Sequence, residues 1–283
     1  MKKTGLLFIL AIASGALLSC TGAEPLKLKV ATYNLRMDTP ADSANAWAYR
    51  KEAVKALIRY HDFDMAGTQE GYLHQLQGIC ELPGYAYVGA GRDDGKDAGE
   101  HSAILYRKDK FTVVDSGNFW LRETPDTPGL GWDATCCNRI CSWARFRENG
   151  SGAEFYFFNV HFDHQGVVAR QESGKLMIRK ITEIAADAPV IVTGDFNSTP
   201  DTEQIQAMSA FLSDSRSVTV QPPYGPEGTF NRRFSNPIGD NRIDYIFVNS
   251  AFRVDKYAVL TDYRVFPFYP SDHQPVAVEL SLE

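Results

Sequence analysis

A succession of short runs rich in β-branched and aromatic residues constrains this chain more than any other feature, because such runs can bury themselves only by pairing into sheets. They are Leu28–Asn34, Met65–Gln69, Ala86–Gly89, Ser102–Tyr106, Thr112–Ser116, Ser142–Arg147, Phe155–Val160, Val190–Gly194, Asp244–Val248 and Val276–Leu280. Helical patterns are fewer. Trp47 to Tyr60 carries Trp47, Val54, Leu57 and Ile58 on one stripe, Gln165 to Ala186 carries Val168, Leu176, Ile181 and Ile184, and a shorter helix follows Thr202. Strands outnumber helices and many adjoin by short turns. The expected architecture is therefore an α/β (α+β) four-layer sandwich: two mostly antiparallel β-sheets packed face to face with helices outside. A doubly wound nucleotide fold is disfavoured, since Gly89-Ala90-Gly91 runs into Arg92-Asp93-Asp94 and not into a helix start.

The first residues stand apart from that pattern. Met1-Lys2-Lys3 and the apolar run from Gly5 to Leu18 have the layout of a secretory signal, too short for a convincing membrane span. Leu17-Leu18-Ser19-Cys20 resembles the lipobox of bacterial lipoproteins, in which the cysteine becomes the acylated first residue. Residues 1–19 are thus expected to be a signal peptide, Cys20 the lipidation site, 20–27 a tether and 28–283 one domain without internal linker or repeat. The expected location is the cell envelope, as an exported lipoprotein of the outer membrane or facing the periplasm, held to the membrane by its lipid alone. The other cysteines, Cys80, Cys136, Cys137 and Cys141, are poorly spaced for zinc. They fit small buried residues or one disulfide.

Charge narrows the function. With 29 Lys and Arg against 35 Asp and Glu, the net charge of −6 argues against holding nucleic acid through a basic surface. It does not exclude a site neutralised by a bound cation.

Polar residues gather at the ends of the apolar runs: Asn34 in Ala-Thr-Tyr-Asn, Glu70 in Gly-Thr-Gln-Glu, His161 and Asp163 in Asn-Val-His-Phe-Asp, Asp195 and Asn197 in Gly-Asp-Phe-Asn, Asp244 in Arg-Ile-Asp-Tyr, and Asp272-His273 before the last run. Singly, such residues are ordinary caps and turns. Together they supply the oxygen ligands of a hard divalent cation and the groups of a proton shuttle.

In their order these segments resemble the endonuclease/exonuclease/phosphatase superfamily, with its deoxyribonuclease-I-like fold. Gly194-Asp195-Phe196-Asn197 and Ser271-Asp272-His273-Gln274-Pro275, with Gln69-Glu70 upstream, are the most specific part. The resemblance implies a two-sheet sandwich with the site at one end of the sheets, and Mg²⁺ as cofactor with Mn²⁺ as a substitute. It implies Glu70 as principal metal ligand, Asn34 beside it and Asp272 completing the site or serving a second ion. By the same analogy Asp195 orients or deprotonates the attacking water, Asn197 donates to the phosphoryl oxygens, and His273, held by Asp244, faces the scissile phosphate. His161 then contacts phosphate, and Glu100 supports it if the alignment shifts by one residue. Arg170 matches an arginine that follows the histidine block in relatives, where it is partly structural, and the resemblance implies that it contacts substrate phosphate. Arg139, just before a strand, reads either as a planar fork on substrate phosphate or as a surface ion pair.

The implied activity is divalent-metal-dependent hydrolysis of phosphate esters, as phosphodiesterase, nuclease or phosphatase, by in-line attack of an activated water. Its substrates would be phosphate-ester small molecules, lipid headgroups or short nucleic acids, acted on by a monomer. Long duplex DNA is disfavoured, because the loops that would choose the substrate carry aromatic, Gly and Pro residues with scattered arginines. The alternative is a catalytically idle protein that binds a phosphorylated glycan or lipid. It offers no reason for a water-activating Asp and its paired His to stand together.

Overall fold

The computed structural model describes Met1 and residues 25–235 and 237–283. The leader and Cys20, with the lipidation assigned to it, lie outside the described residues. No helix among the described residues is long and apolar enough to cross a membrane.

In chain order the strands are β1 (Leu26–Asn34), β2 (Met65–Gly71), β3 (Tyr85–Val88), β4 (His101–Arg107), β5 (Phe111–Trp120), β6 (Ile140–Glu148), β7 (Glu154–His161), β8 (Val190–Asp195), β9 (Ser213–Asp214), β10 (Asp244–Val248), β11 (Phe252–Val259) and β12 (Val276–Leu282). The helices are α1 (Trp47–His61), α2 (Leu73–Ile79), α3 (Val167–Ala185), α4 (Glu203–Phe211) and α5 (Ser215–Val218). Two six-stranded sheets result, ordered β11-β12-β1-β2-β4-β3 and β5-β6-β7-β8-β10-β9. Neighbours are antiparallel except β1/β2 and β7/β8. Each parallel pair is joined through a helix, as parallel geometry requires: α1 in the first sheet, α3 in the second.

The two-residue period of the strands builds the layers. In β1, Leu28 and Val30 face the second sheet, while Ala31 and Tyr33 pack against α1. In β7 and β8, Phe155, Phe157 and Ile191 enter the inter-sheet core, while Phe158, Val160, Val190 and Val192 meet α3 and α4. Each such fully buried large side chain contributes roughly 1.5–3 kcal/mol. The four-layer sandwich expected from the sequence is the fold found.

Four elements escape the sequence pattern: β9 and α5, of two and four residues, are too short to show a period, and β11 and α2 hide theirs. Strand β11 alternates buried and exposed residues, but a bulge between Val254 and Lys256 shifts its phase at Asp255. Helix α2 has seven residues, about two turns, too few for an apolar stripe to repeat.

Toward one end of the sandwich the inter-sheet filling changes from hydrocarbon to amide and hydroxyl. Gln69 Nε2 donates to Thr32 Oγ1 at 3.0 Å and to Asn159 Oδ1 at 2.7 Å, and Thr193 Oγ1 donates to Asn159 Oδ1 at 2.9 Å. Asn159 Nδ2 donates to the carbonyls of Thr68 and Ala103 at 2.8 and 2.9 Å. The sheets approach closely here because residue 67 is glycine: a Cβ on Gly67 would stand 2.0 Å from Thr193 Oγ1 and 2.4 Å from Asn159 Oδ1. Gly67→Ala is therefore expected to lower the free energy of unfolding by about 1–3 kcal/mol. Guanidinium denaturation reads this directly, and wild-type stability in the variant would show that the sheets do not meet so tightly.

Candidate active site

Beyond that polar layer lies a cleft of about 390 Å³, and strand register explains its contents. On neighbouring strands of the second sheet, His161 stands beside Asp195 and Asp195 beside Asp244, a row across β7, β8 and β10. In the first sheet Asn34 pairs with Gln69, and Glu70 follows in a left-handed backbone at φ 62°. That conformation costs about 1–3 kcal/mol in a non-glycine residue. It breaks the alternation of β2, so that Gln69 enters the inter-sheet layer while Glu70 still reaches the cleft.

Asp195 is the junction. Its Oδ1 accepts from the Asn197 amide at 2.9 Å, and its Oδ2 accepts from Asn34 Nδ2 at 3.0 Å. The same Oδ2 lies 3.5 Å from His161 Nε2 and 3.7 Å from His273 Nε2. Burial, reinforced by the charge of Asp244, pushes the Asp195 carboxyl up to about 7. His273 Nδ1 lies 2.9 Å from Asp244 Oδ2, and the ring packs on Phe230. Burial opposes a charge on His273, yet Asp244 and Asp195 outweigh it and hold the imidazolium well above its ordinary range. His161 moves the other way: burial and the neighbouring Arg139 guanidinium drive it well below that range, leaving it neutral.

Glu70 accepts from Asn34 Nδ2 at 2.9 Å and from the Met37 amide at 3.1 Å, with Arg36 Nη1 at 3.8 Å. Burial disfavours its charge, but His273, Asn34 and Arg36 together keep the carboxyl below its usual value. Asp272 shares the cleft, and burial with the repulsion of Glu70 raises it to about 6. Glu100 also lines the cleft. Its Oε2 bonds Arg92 at 2.6 Å and stands 4.0 Å from His161 Nδ1, and burial raises it to about 7.

The structure thus brings Glu70, Glu100, Arg139, His161, Asp195, Asn197, Asp272 and His273 to one cleft, with Asp244 and Asn34 directly behind. Two expectations change. Asn34 turns its amide nitrogen, not its oxygen, to the carboxylates of Glu70 and Asp195, and its Oδ1 takes the Arg36 amide at 2.9 Å. It spaces two acids rather than offering an oxygen ligand. Arg170 lies off the cleft wall, where its Nη1 donates to the Asp163 carbonyl at 3.2 Å and holds the turn after β7. Arg139 is no surface ion pair. It is buried, with Nη1 3.2 Å from the His161 ring nitrogens and Nε 3.4 Å from Asp163 Oδ2.

Two residues went unnoticed in the sequence. Thr229 Oγ1 donates to Asp244 Oδ2 at 2.6 Å and so fixes the carboxylate that fixes His273. Arg50 is fully buried on the apolar stripe of α1, with no carboxylate partner among the described residues. It donates to the carbonyls of Leu35, Arg36, Asn45 and Pro270 and lies between Trp47 and Phe234, tying the loop after Asn34 to the segment before Asp272. An arginine three residues after Trp47 and four before Val54, in phase with them, was its signal.

The donor set fits a hard divalent cation. Donor atoms of Glu70, Asp195 and His273 lie within 4.8 Å of one another, and the raised pKa values of Asp195 and Asp272 mark crowded negative charge that such an ion would relieve. His273, held protonated, has no lone pair to give, so Glu70 and Asp272 would hold the ion, with Asp195 at its side.

Paired sheets with carboxylates and imidazoles at one end define a class of phosphate-ester hydrolases. Within it, residues 31–273 match the Endonuclease/Exonuclease/phosphatase family, and the chain belongs to that family. It is similar to a family protein of Bacteroides thetaiotaomicron, 47% identical with a TM-score of 0.88, over 92% of this chain and 99% of that one. It is similar to a mannosyl-6-phosphatase of Bacteroides thetaiotaomicron VPI-5482, 48% identical with a TM-score of 0.86, over 89% and 99% of the two chains. A family protein of Bacteroides vulgatus is 39% identical with a TM-score of 0.85, over 91% and 100%.

Proposed function

We propose that this protein is a Mg²⁺-dependent phosphomonoesterase that removes phosphate from sugar phosphates, exported and anchored in the cell envelope through Cys20. The observation that carries the catalytic part is Asp195, a carboxylate with a pKa of about 7 standing between neutral His161 and the His273–Asp244 pair. The sugar-phosphate part rests on the likeness to the mannosyl-6-phosphatase, and the modest cleft and net charge of −6 agree with a compact anion.

A bound divalent ion supplies neutralisation of the phosphoryl oxygens and a lowered pKa for water. The chain's own groups do the rest. Asp195, with a pKa near neutrality, accepts the proton of the attacking water. His273, kept protonated and oriented through Nδ1 by Asp244, offers its Nε2–H to a phosphoryl oxygen. Arg139 and His161 face the same phosphate from the second sheet, and Asn197 lines the approach.

The test is phosphate release from hexose 6-phosphates, bis-p-nitrophenyl phosphate, oligonucleotides, sphingomyelin and inositol phosphates, with Mg²⁺ and with EDTA. The expected result is metal-dependent hydrolysis of the hexose monoesters above all others. Preference for a diester would overturn the monoesterase reading, and activity undiminished by EDTA the metal requirement.

Stability gives a second check. Asp195 keeps its proton up to about pH 7 when folded but would lose it near its ordinary value of 3.8 when unfolded. The metal-free fold therefore loses stability as pH rises between those values and carries the unrelieved charge above them. Mg²⁺ should raise Tm more at pH 8 than at pH 5.5, where it must displace a proton from Asp272, whose carboxyl is raised to about 6. Equal increments in thermal melts at the two pH values would remove Asp272 from the ion's site.

A further inference from the structure

One wall of the cleft has no part in the chemistry above. Between β5 and β6, Cys136 and Cys137 are bonded to each other and line the same cleft as Glu70, His161 and His273. Next to them stands His164, one of whose ring nitrogens lies within 4.8 Å of the Cys136 sulfur. Sulfur held in a disulfide is no thiolate ligand. The oxygens of nearby Asp163 are taken by the Gln165 and Gly166 amides at 2.8 and 2.6 Å and by Arg139 at 3.4 Å, so this corner is not a second metal site.

What the corner offers is a plate and a donor. Adjacent bonded cysteines close a small ring that presents two polarisable sulfurs and little freedom to move. The tautomer of His164 follows from its neighbour: Arg139 Nη2 lies 2.8 Å from His164 Nδ1, and an arginine can only donate. Nδ1 is therefore the acceptor and Nε2 carries the hydrogen. Arg139 also touches His161, so the wall begins one side chain beyond the phosphate-handling groups. A phosphate held by Arg139 and His161 would have this wall within reach of its alcohol half. A sugar ring has an apolar C–H face and a rim of hydroxyls, which match the sulfur plate and the N–H.

We propose that the Cys136–Cys137 disulfide and His164 form the subsite for the sugar ring of the leaving alcohol, an inference that rests on the sugar-phosphate reading above. The experiment follows phosphate release from a hexose 6-phosphate and from ethyl phosphate, which has neither ring nor hydroxyl. It compares the wild-type chain, wild type reduced with dithiothreitol, the Cys136→Ser/Cys137→Ser double variant and His164→Ala, each with its thermal melt. In the last three, the ratio of kcat/KM for the hexose ester to that for the ethyl ester is expected to fall about tenfold, through KM for the hexose ester. His164 sits on a different segment from the cysteines, joined to theirs by Thr135 Oγ1 donating to Gln165 Oε1 at 2.6 Å, and the thermal melts show whether that join survives in each variant. A ratio that stays at its wild-type value overturns the subsite while leaving the sugar-phosphatase reading intact. Wild-type failure on the hexose ester overturns that reading and the subsite with it.

Discussion

Asp195→Asn is expected to lower kcat by about 10³- to 10⁴-fold, the upper range for removal of a general base. The change is nearly isosteric, so a loss of that size must come from charge and proton affinity. A neutral amide cannot accept the proton of the attacking water, and it withdraws one of the three carboxylates, with Asp244 and Asp272, that keep His273 protonated. A smaller local effect accompanies this. Both Asp195 oxygens accept hydrogen bonds, Oδ1 from the Asn197 amide and Oδ2 from Asn34 Nδ2, so an amide at 195 must turn its NH₂ toward one of these donors. A buried mismatch of that kind costs about 1–3 kcal/mol. Thermal melting separates the two effects, since the variant should remain folded at assay temperature while its turnover collapses. Turnover within tenfold of wild type would remove Asp195 from the proton-transfer step.

Why so much of this site could be read from the sequence follows from how the fold makes it. Every strand that carries a chemical group does so at the same end, and the same face runs on through the polar layer into the apolar core: Asp195, Thr193 and Ile191 on β8, or His161, Asn159, Phe157 and Phe155 on β7. A polar residue closing an apolar run is visible without coordinates, and β-sheet register then sets such residues side by side. What the sequence hides are contacts made by irregular segments. Thr229 lies between elements, and nothing in its neighbourhood marks it as the partner of Asp244, fifteen residues on. Asn34 was placed at the right point, but which of its amide atoms meets the acids depends on Arg36, whose backbone turns left-handed at φ 57°. Arg170 has the expected spacing from His161, yet one turn of α3 carries its guanidinium to the back of the Asp163 loop. Cys136 and Cys137 offered no signal until the fold brought them to the cleft.

Glu70→Gln is expected to weaken the apparent affinity for Mg²⁺ by about 100-fold and to lower activity at a fixed millimolar ion concentration by about 10³-fold. Glu70 differs from the other acids of the cleft in the sign of its shift. Asp195, Asp272 and Glu100 are pushed toward the protonated state, whereas Asn34, Arg36, His273 and the Met37 amide keep Glu70 ionised. It is the carboxylate already charged and aimed at neutral pH, and the left-handed strain at its own backbone is spent on keeping it there. The amide removes that charge and turns an N–H toward either Asn34 Nδ2 or the Met37 amide, both of which donate to the present carboxylate. Two features distinguish this loss from that of Asp195→Asn. Rising Mg²⁺ should partly restore activity to Glu70→Gln, because the remaining acids still attract the ion, and should restore none to Asp195→Asn, where the missing function is the base. The Mg²⁺-induced rise in Tm should likewise shrink in Glu70→Gln. An unchanged Mg²⁺ titration curve, in activity and in melting, would show that the ion is held elsewhere.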